Sequence, residues 1–212
     1  MKRLAVVLLA FTLAVVPASA SNWVKVAEKV LASTFQLQTK AGEGFCTGFI
    51  IDDRNDYAMT ASHCVNAGGW VEGGIYVDKK LVEVTYDNPA LDAAVLKLTD
   101  DTRPRLKVNK DLLRVGTPVA SAGYAYGMPQ AFFRTGIIAV VERYYPDEFE
   151  MPDGPWIERD YSDIPGMSGG PVVDDSGKVI GVVQMGTRDG FGVSMSRWIG
   201  YIYQHTKQYW RA

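Results

Sequence analysis

Histidine and cysteine are both scarce in this chain. There are two of each, His63 and His205, Cys46 and Cys64, among 212 residues. A structural zinc site takes four such ligands and would have to consume them all, so the sequence calls for no metal and no cofactor. Net charge is small as well, with 22 basic residues against 24 acidic ones, or −2. That excludes the strongly basic surface expected of a nucleic-acid partner or an anionic-membrane binder. Long hydrophobic runs are confined to one place, Leu4 to Val16, which is too short to span a bilayer. Neither an internal repeat nor a low-complexity tract is present.

What is there begins with MKRLAVVLLAFTLAVVPASA, residues 1–20. Lys2 and Arg3 form a basic start, the apolar run follows, and Ala18-Ser19-Ala20 fits a small-x-small cleavage site. The pattern predicts a secretory signal peptide. A core helix is the competing reading. No cysteine stands near the cut, which argues against a lipid anchor there. Removing these residues leaves 192, with 20 basic and 24 acidic, a net charge of −4. That length makes one large domain or two small ones, with no membrane association expected after signal removal. Both cysteines lie in the exported part, where an even count reads as one disulfide.

Along residues 21–212 the hydrophobic period changes. Asn22 to Leu31 has helical spacing. Short β-rich runs follow at 35–39, 44–51, 57–61, 81–86 and 92–98, separated by turn residues. The charged stretch 99–116 reads as a linker, within bounds of about 101–116. Strands resume at 119–124, 134–145, 171–173, 178–185 and 190–195. Residues 196–210 read as a closing helix with Ser196 as its N-cap. Many short strands predict an all-β sandwich or a pair of barrels. The aromatic end (Trp198, Tyr201, Tyr203, Tyr209, Trp210) caps the core or meets a partner, and capping is the preferred reading.

Three segments carry chemistry. GMSGGPVV, Gly166 to Val173, sets Ser168 among glycines. A tight surface turn is one reading. The other is a nucleophile that a carbonyl must reach, flanked by amides free to face an oxyanion. MTASHCV places His63 just after a strand, and a lone histidine there is commonly structural. NPALDAAVLKL opens an apolar strand with Asp92. A carboxylate so placed needs a partner, and an imidazole N–H supplies one; a strand-initiating turn is the plain alternative.

The order His63, Asp92, Ser168, with TASHC, DAAVLKL and GMSGGPVV, resembles the chymotrypsin-like (trypsin-like) serine proteases over about residues 34–205. The leading helix, SDIPGMSGGPVV and KVIGVV are closer to the bacterial HtrA-type proteases. The resemblance implies two six-stranded antiparallel β-barrels, about 33–100 and 117–195, with the site in the cleft between them and short helices at both ends. It implies a secreted or periplasmic serine endopeptidase acting on protein or peptide substrates. Ser168 is then the nucleophile, His63 the base and Asp92 its orienter. The N–H groups of Gly166 and Ser168 form the oxyanion hole, and Cys46–Cys64 ties the histidine loop to the preceding strand. Ser162, Gln184, Met185, Gly186 and Gly192 align with the substrate pocket, although Met185 also suits plain barrel filling. With no carboxylate at Ser162, small or medium apolar residues are expected on the acyl side, and Asp163 is the residue that complicates this. Met167 replaces the acid that answers a freed N-terminus in trypsin and chymotrypsin, so no such zymogen switch is expected. The chain's length leaves no room for a PDZ domain of the kind HtrA-type proteases carry. Two rivals remain. One is a protease-fold binding protein with an unformed oxyanion hole. The other is a serine esterase, since Gly166-x-Ser168-x-Gly170 also fits a nucleophile elbow.

Overall fold

The computed structural model describes residues 23–51, 57–111, 113–143, 155–186 and 194–206. The expected signal peptide, residues 1–20, lies outside them, as does Gly192. Helix α1 (Trp23–Ser33) runs straight into the first strand. Its Val30 is fully buried while Val24 is exposed, and Trp23 packs on Phe133 with ring centroids 5.9 Å apart. The helix therefore leans on the second half of the molecule before the chain enters the first. The Thr34 hydroxyl donates to the Val30 carbonyl (2.7 Å), satisfying one of the acceptors a helix end leaves open.

The first half is a seven-stranded sheet. Its strands are β1 (Thr34–Gln38), β2 (Gly44–Ile50), β3 (Tyr57–Thr60), β4 (Tyr76–Val77), β5 (Lys80–Leu81), β6 (Glu83–Asn88) and β7 (Ala93–Lys97). Their order is β5-β4-β1-β2-β3-β7-β6. This corrects the expected six-stranded barrel. The two edge strands, β5 and β6, are consecutive in the chain with only Val82 between them, and the Val82 N–H is given to Ile75 O (2.9 Å). The run 81–86 read as one strand is thus bent at Val82. The bend carries the chain from one sheet edge to the other, so the ring is bridged covalently where no ladder forms.

The second half is a closed barrel of β8 (Pro118–Gly123), β9 (Phe132–Arg143), β10 (Trp156–Arg159), β11 (Pro171–Asp174), β12 (Val179–Gly186) and β13 (Ser194–Trp198). Strand β10 was not expected. WIER carries Glu158 and Arg159, whose charge hides a strand that is buried at all four positions. Ser196 is also corrected. It is a buried strand residue in β13, and helix α3 (Ile199–Thr206) starts three residues later. The barrel needs β13 to pair with both β10 and β12, and that requirement overrides the helical pattern.

One core cluster spans both halves, with Phe49, Met59 and Val95 from the first and Ala120, Val173 and Val182 from the second. The charged connection joins them through fully buried Leu106, whose N–H reaches Ile50 O (3.1 Å). Val108 bridges to Val179 on the other side. Every pairing between named strands is antiparallel, and Ser168 is followed by strand β11, not a helix. That is incompatible with the strand–turn–helix of an α/β-hydrolase, so the esterase reading falls.

Candidate active site

His63 sits in a single helical turn, α2 (Ser62–Val65), directly after β3. Such a turn has little stability of its own, and three ties hold it. The Cys46–Cys64 disulfide joins it to β2. The Ser62 hydroxyl donates to Asp87 Oδ1 (2.5 Å), and the Asn66 amide donates to Asp87 Oδ2 (2.8 Å). The His63 N–H donates to Asp92 Oδ1 (2.9 Å).

Asp92 lies in the turn between β6 and β7, with φ +47°. This left-handed conformation is one that aspartate tolerates better than most residues. The turn closes through Leu91 N–H to Asn88 O (3.2 Å) and Asp92 N–H to Pro89 O (3.1 Å). It delivers the carboxylate to the imidazole, with His63 Nδ1 lying 2.9 Å from Oδ2 and 3.1 Å from Oδ1. An ionised carboxylate only accepts, so in the neutral imidazole Nδ1 carries the proton and Nε2 keeps its lone pair. Asp92 is almost buried, whereas the His63 side chain is 46% exposed.

Ser168 is on the loop before β11. Gly166 has φ +95°, and a Cβ there would meet Tyr124 O at 2.4 Å. Gly169 has φ +81°, and its Cβ would meet Thr60 Oγ1 at 2.1 Å and Thr47 O at 2.3 Å. Glycine is thus required at both places by conformation and by space. Thr47 fastens the loop to the first half: its N–H donates to Ser168 O and its hydroxyl to Gly166 O, both at 2.8 Å. The Pro165 carbonyl accepts from Tyr126 N–H (2.7 Å). A trans peptide points its N–H opposite its C=O, so the Gly166 N–H faces away from Tyr126. Neither it nor the Ser168 N–H donates to a protein acceptor among the described residues. The Ser168 hydroxyl donates to Gln184 O (3.3 Å).

His63, Gly166 and Ser168 line one open cleft of about 480 Å³, which Phe45, Cys46 and Tyr126 also line. Ser162 is half-buried on the loop leading to Ser168. Its neighbour Asp163 is buried and ion-paired with fully buried Arg159, and it also accepts from the Ser121 hydroxyl (2.6 Å). Burial opposes the charge on Arg159, but Asp163 and Tyr161 outweigh it and hold the guanidinium above its ordinary pKa. Met185 and Gly186 continue strand β12. The Gln184 side chain is buried and reaches the Leu91 and Asp92 carbonyls. Among the described residues, Cys46, His63 and Cys64 bring their ligand atoms together, but the two sulfurs are bonded to each other and offer no thiolate. Thr47, Asp87 and Tyr126 escaped the sequence reading. Only Asp87, an acidic residue directly after the β-rich run 81–86, carried any local signal.

A family model described as a trypsin-like peptidase domain matches residues 46–182. The chain belongs to the trypsin-like peptidase family. A probable periplasmic serine endoprotease, DegP-like, from Halomonas elongata is 32% identical over 153 residues, 71% of this chain and 31% of that protein. Its counterpart from Chlamydia trachomatis is 30% identical over 138 residues, 64% of this chain and 27% of that one. The chain therefore spans about a third of the length of the curated relatives it matches. Among solved structures, the HtrA-type protease AlgW with a decapeptide aligns with a TM-score of 0.73 at 18% identity, over 88% of this chain and 67% of that one. The Rv3671c protease of M. tuberculosis, active form, aligns at 0.70 and 22% identity, over 86% and 82%. At these identities the likeness is one of fold.

Proposed function

We propose that this trypsin-like peptidase domain is a serine endopeptidase of the HtrA/DegP kind, cutting proteins or peptides outside the cytoplasm. The observation that carries the proposal is His63 held by Asp92 in the same cleft as Ser168. The Ser168 hydroxyl turns from Gln184 O to His63 Nε2 and attacks the scissile carbonyl carbon. Nε2 takes the hydroxyl proton, and the Asp92 carboxylate steadies the resulting imidazolium through Nδ1–H. The N–H groups of Gly166 and Ser168 receive the oxyanion. The carbon–nitrogen bond then breaks as His63 returns the proton to the leaving amine. Water, deprotonated by the same nitrogen, hydrolyses the acyl-Ser168 ester.

Binding without cutting requires an oxyanion hole that is not formed. The bond from Tyr126 N–H to Pro165 O supports the opposite orientation of that peptide. An exported location is supported by the signal-like residues 1–20, by the disulfide, and by relatives named periplasmic endoproteases. Ser162 brings no carboxylate, and Asp163 is committed to Arg159. Both support small or medium apolar residues on the acyl side. Digestion of a mixed peptide library by wild type and by Ser168→Ala tests this. Cuts by the wild type alone, after such residues, are expected. Cuts shared by both proteins, or none by either, would overturn the function; cuts after Arg or Lys would overturn the preference.

A further inference from the structure

We infer that Gln184 is a positioning residue that holds the Asp92 loop from across the boundary between the two halves. The inference rests on the roles proposed for His63, Asp92 and Ser168. Gln184 belongs to β12 in the closed barrel and is 3% exposed. Its Nε2 donates to the main-chain oxygens of Asp92 (2.6 Å) and Leu91 (3.2 Å), in a turn of the first half. Fully buried Arg197, on neighbouring β13, adds its Nε–H to the same Leu91 oxygen (3.2 Å). Two strands of one half therefore fix two successive carbonyls of the other.

The backbone there is unusual. Asp92 is left-handed at φ +47°, a conformation that is sparsely populated even though aspartate tolerates it better than most residues, and here its contacts fix it. While its carbonyl is tied to Gln184, the Asp92 side chain faces His63, where it accepts from both the main-chain N–H and Nδ1. The amide of Gln184 gives a second sign of purpose. Its Oε1 is buried and has no partner among the described residues. A glutamine kept in such a place is kept for its N–H donors. Reversing the amide would set Oε1 against two carbonyl oxygens. The same residue's main-chain oxygen takes the resting Ser168 hydroxyl (3.3 Å). Gln184 thus touches the acid of the constellation through its side chain and the nucleophile through its backbone. The two halves each carry part of the site, and this residue registers one part against the other.

The test compares wild type with Gln184→Met, which keeps length and bulk but removes the donor. The first readout is the proton NMR resonance of His63 Nδ1–H, far downfield when that proton is held by a carboxylate. It reports the His63–Asp92 geometry whether or not any peptide is cut, so a failure of the proposed function stays distinguishable. In Gln184→Met the resonance is expected to move upfield or broaden away. Where peptides are cut, kcat is expected to fall about 10- to 100-fold with KM within about threefold, the pattern of a displaced catalytic group rather than lost binding. Gln184→Asn keeps an amide but withdraws it by one methylene, and it carries the same test if Gln184→Met does not fold. An unchanged resonance in a folded variant would overturn the inference. Failure of both variants to fold would also overturn it, in favour of a purely structural role.

Discussion

The two halves hold their parts of the site by different means. His63 and Asp92 stand on an open sheet whose edge strand β6 is largely exposed and whose strands β4 and β5 are two residues long. Their loops are braced by side chains: the disulfide, Asp87 on Ser62 and Asn66, and Asp92 on the His63 N–H. Ser168 stands on a closed barrel, and its loop is braced mainly by main-chain bonds, with the Thr47 hydroxyl added at Gly166 O. Gly169 N–H reaches Val183 O (2.7 Å), and Val183 N–H reaches Gly170 O (2.8 Å). A ladder that closes on itself leaves no edge to fray, so Ser168 inherits its rigidity from the barrel. His63 is 46% exposed, and on an open sheet it is held by local ties instead.

That contrast can be broken from either side. The largest expected effect is on the barrel side. Gly169→Ala would drive a methyl into Thr60 Oγ1 and Thr47 O while holding alanine at φ +81°. The summed cost of overpacking and left-handed strain is about 3–4 kcal/mol, read as a lowered midpoint in chemical denaturation. A stable Gly169→Ala protein would show the loop to be less tightly seated than its contacts imply. Next comes the disulfide. Replacing Cys46 and Cys64 by alanine opens a loop with a sequence separation of 18. The chain-entropy model gives a loss of about 3 kcal/mol. Reaction of Ser168 with a serine-directed phosphonate should slow as well, because the turn carrying His63 loosens. Stability lost with full reactivity would mean that Asp87 and Asp92 hold His63 unaided. The smallest effect expected is that of Asp87→Ala. Its bonds are partly exposed, so about 1 kcal/mol is lost. Thermal melting would register little, whereas kcat should fall several-fold with KM nearly unchanged. An unchanged kcat would remove Asp87 from the bracing of His63.

Much of the candidate site was legible because its signals are local. Ser168 between Gly166 and Gly169, His63 after a strand and beside Cys64, and Asp92 opening an apolar run are each visible within a few residues. The strands were legible for the same reason, with informative exceptions. WIER was hidden because a buried Arg159–Asp163 pair puts charge where a core strand is expected to be apolar. Ser196 looked like a helix cap because a serine before an apolar run is a cap in isolation. In the fold it accepts a hydrogen bond from Arg159 (2.7 Å) and completes the barrel.

The amino-acid sequence by itself determined the all-β character, the pairing chemistry of the two cysteines and the three residues that bear the proposed reaction. These follow from residue type, hydrophobic period and turn chemistry, which act over short spans of chain. Only the tertiary structure decided that the first sheet stays open at Val82, that Thr47 fastens the Ser168 loop, and that Gln184 reaches Asp92. Thr47 and Gly166 are 119 residues apart, and Gln184 and Asp92 are 92 apart. Contacts at such separations are set by how the two halves pack, and a buried glutamine or threonine carries no mark of which distant carbonyl it will meet.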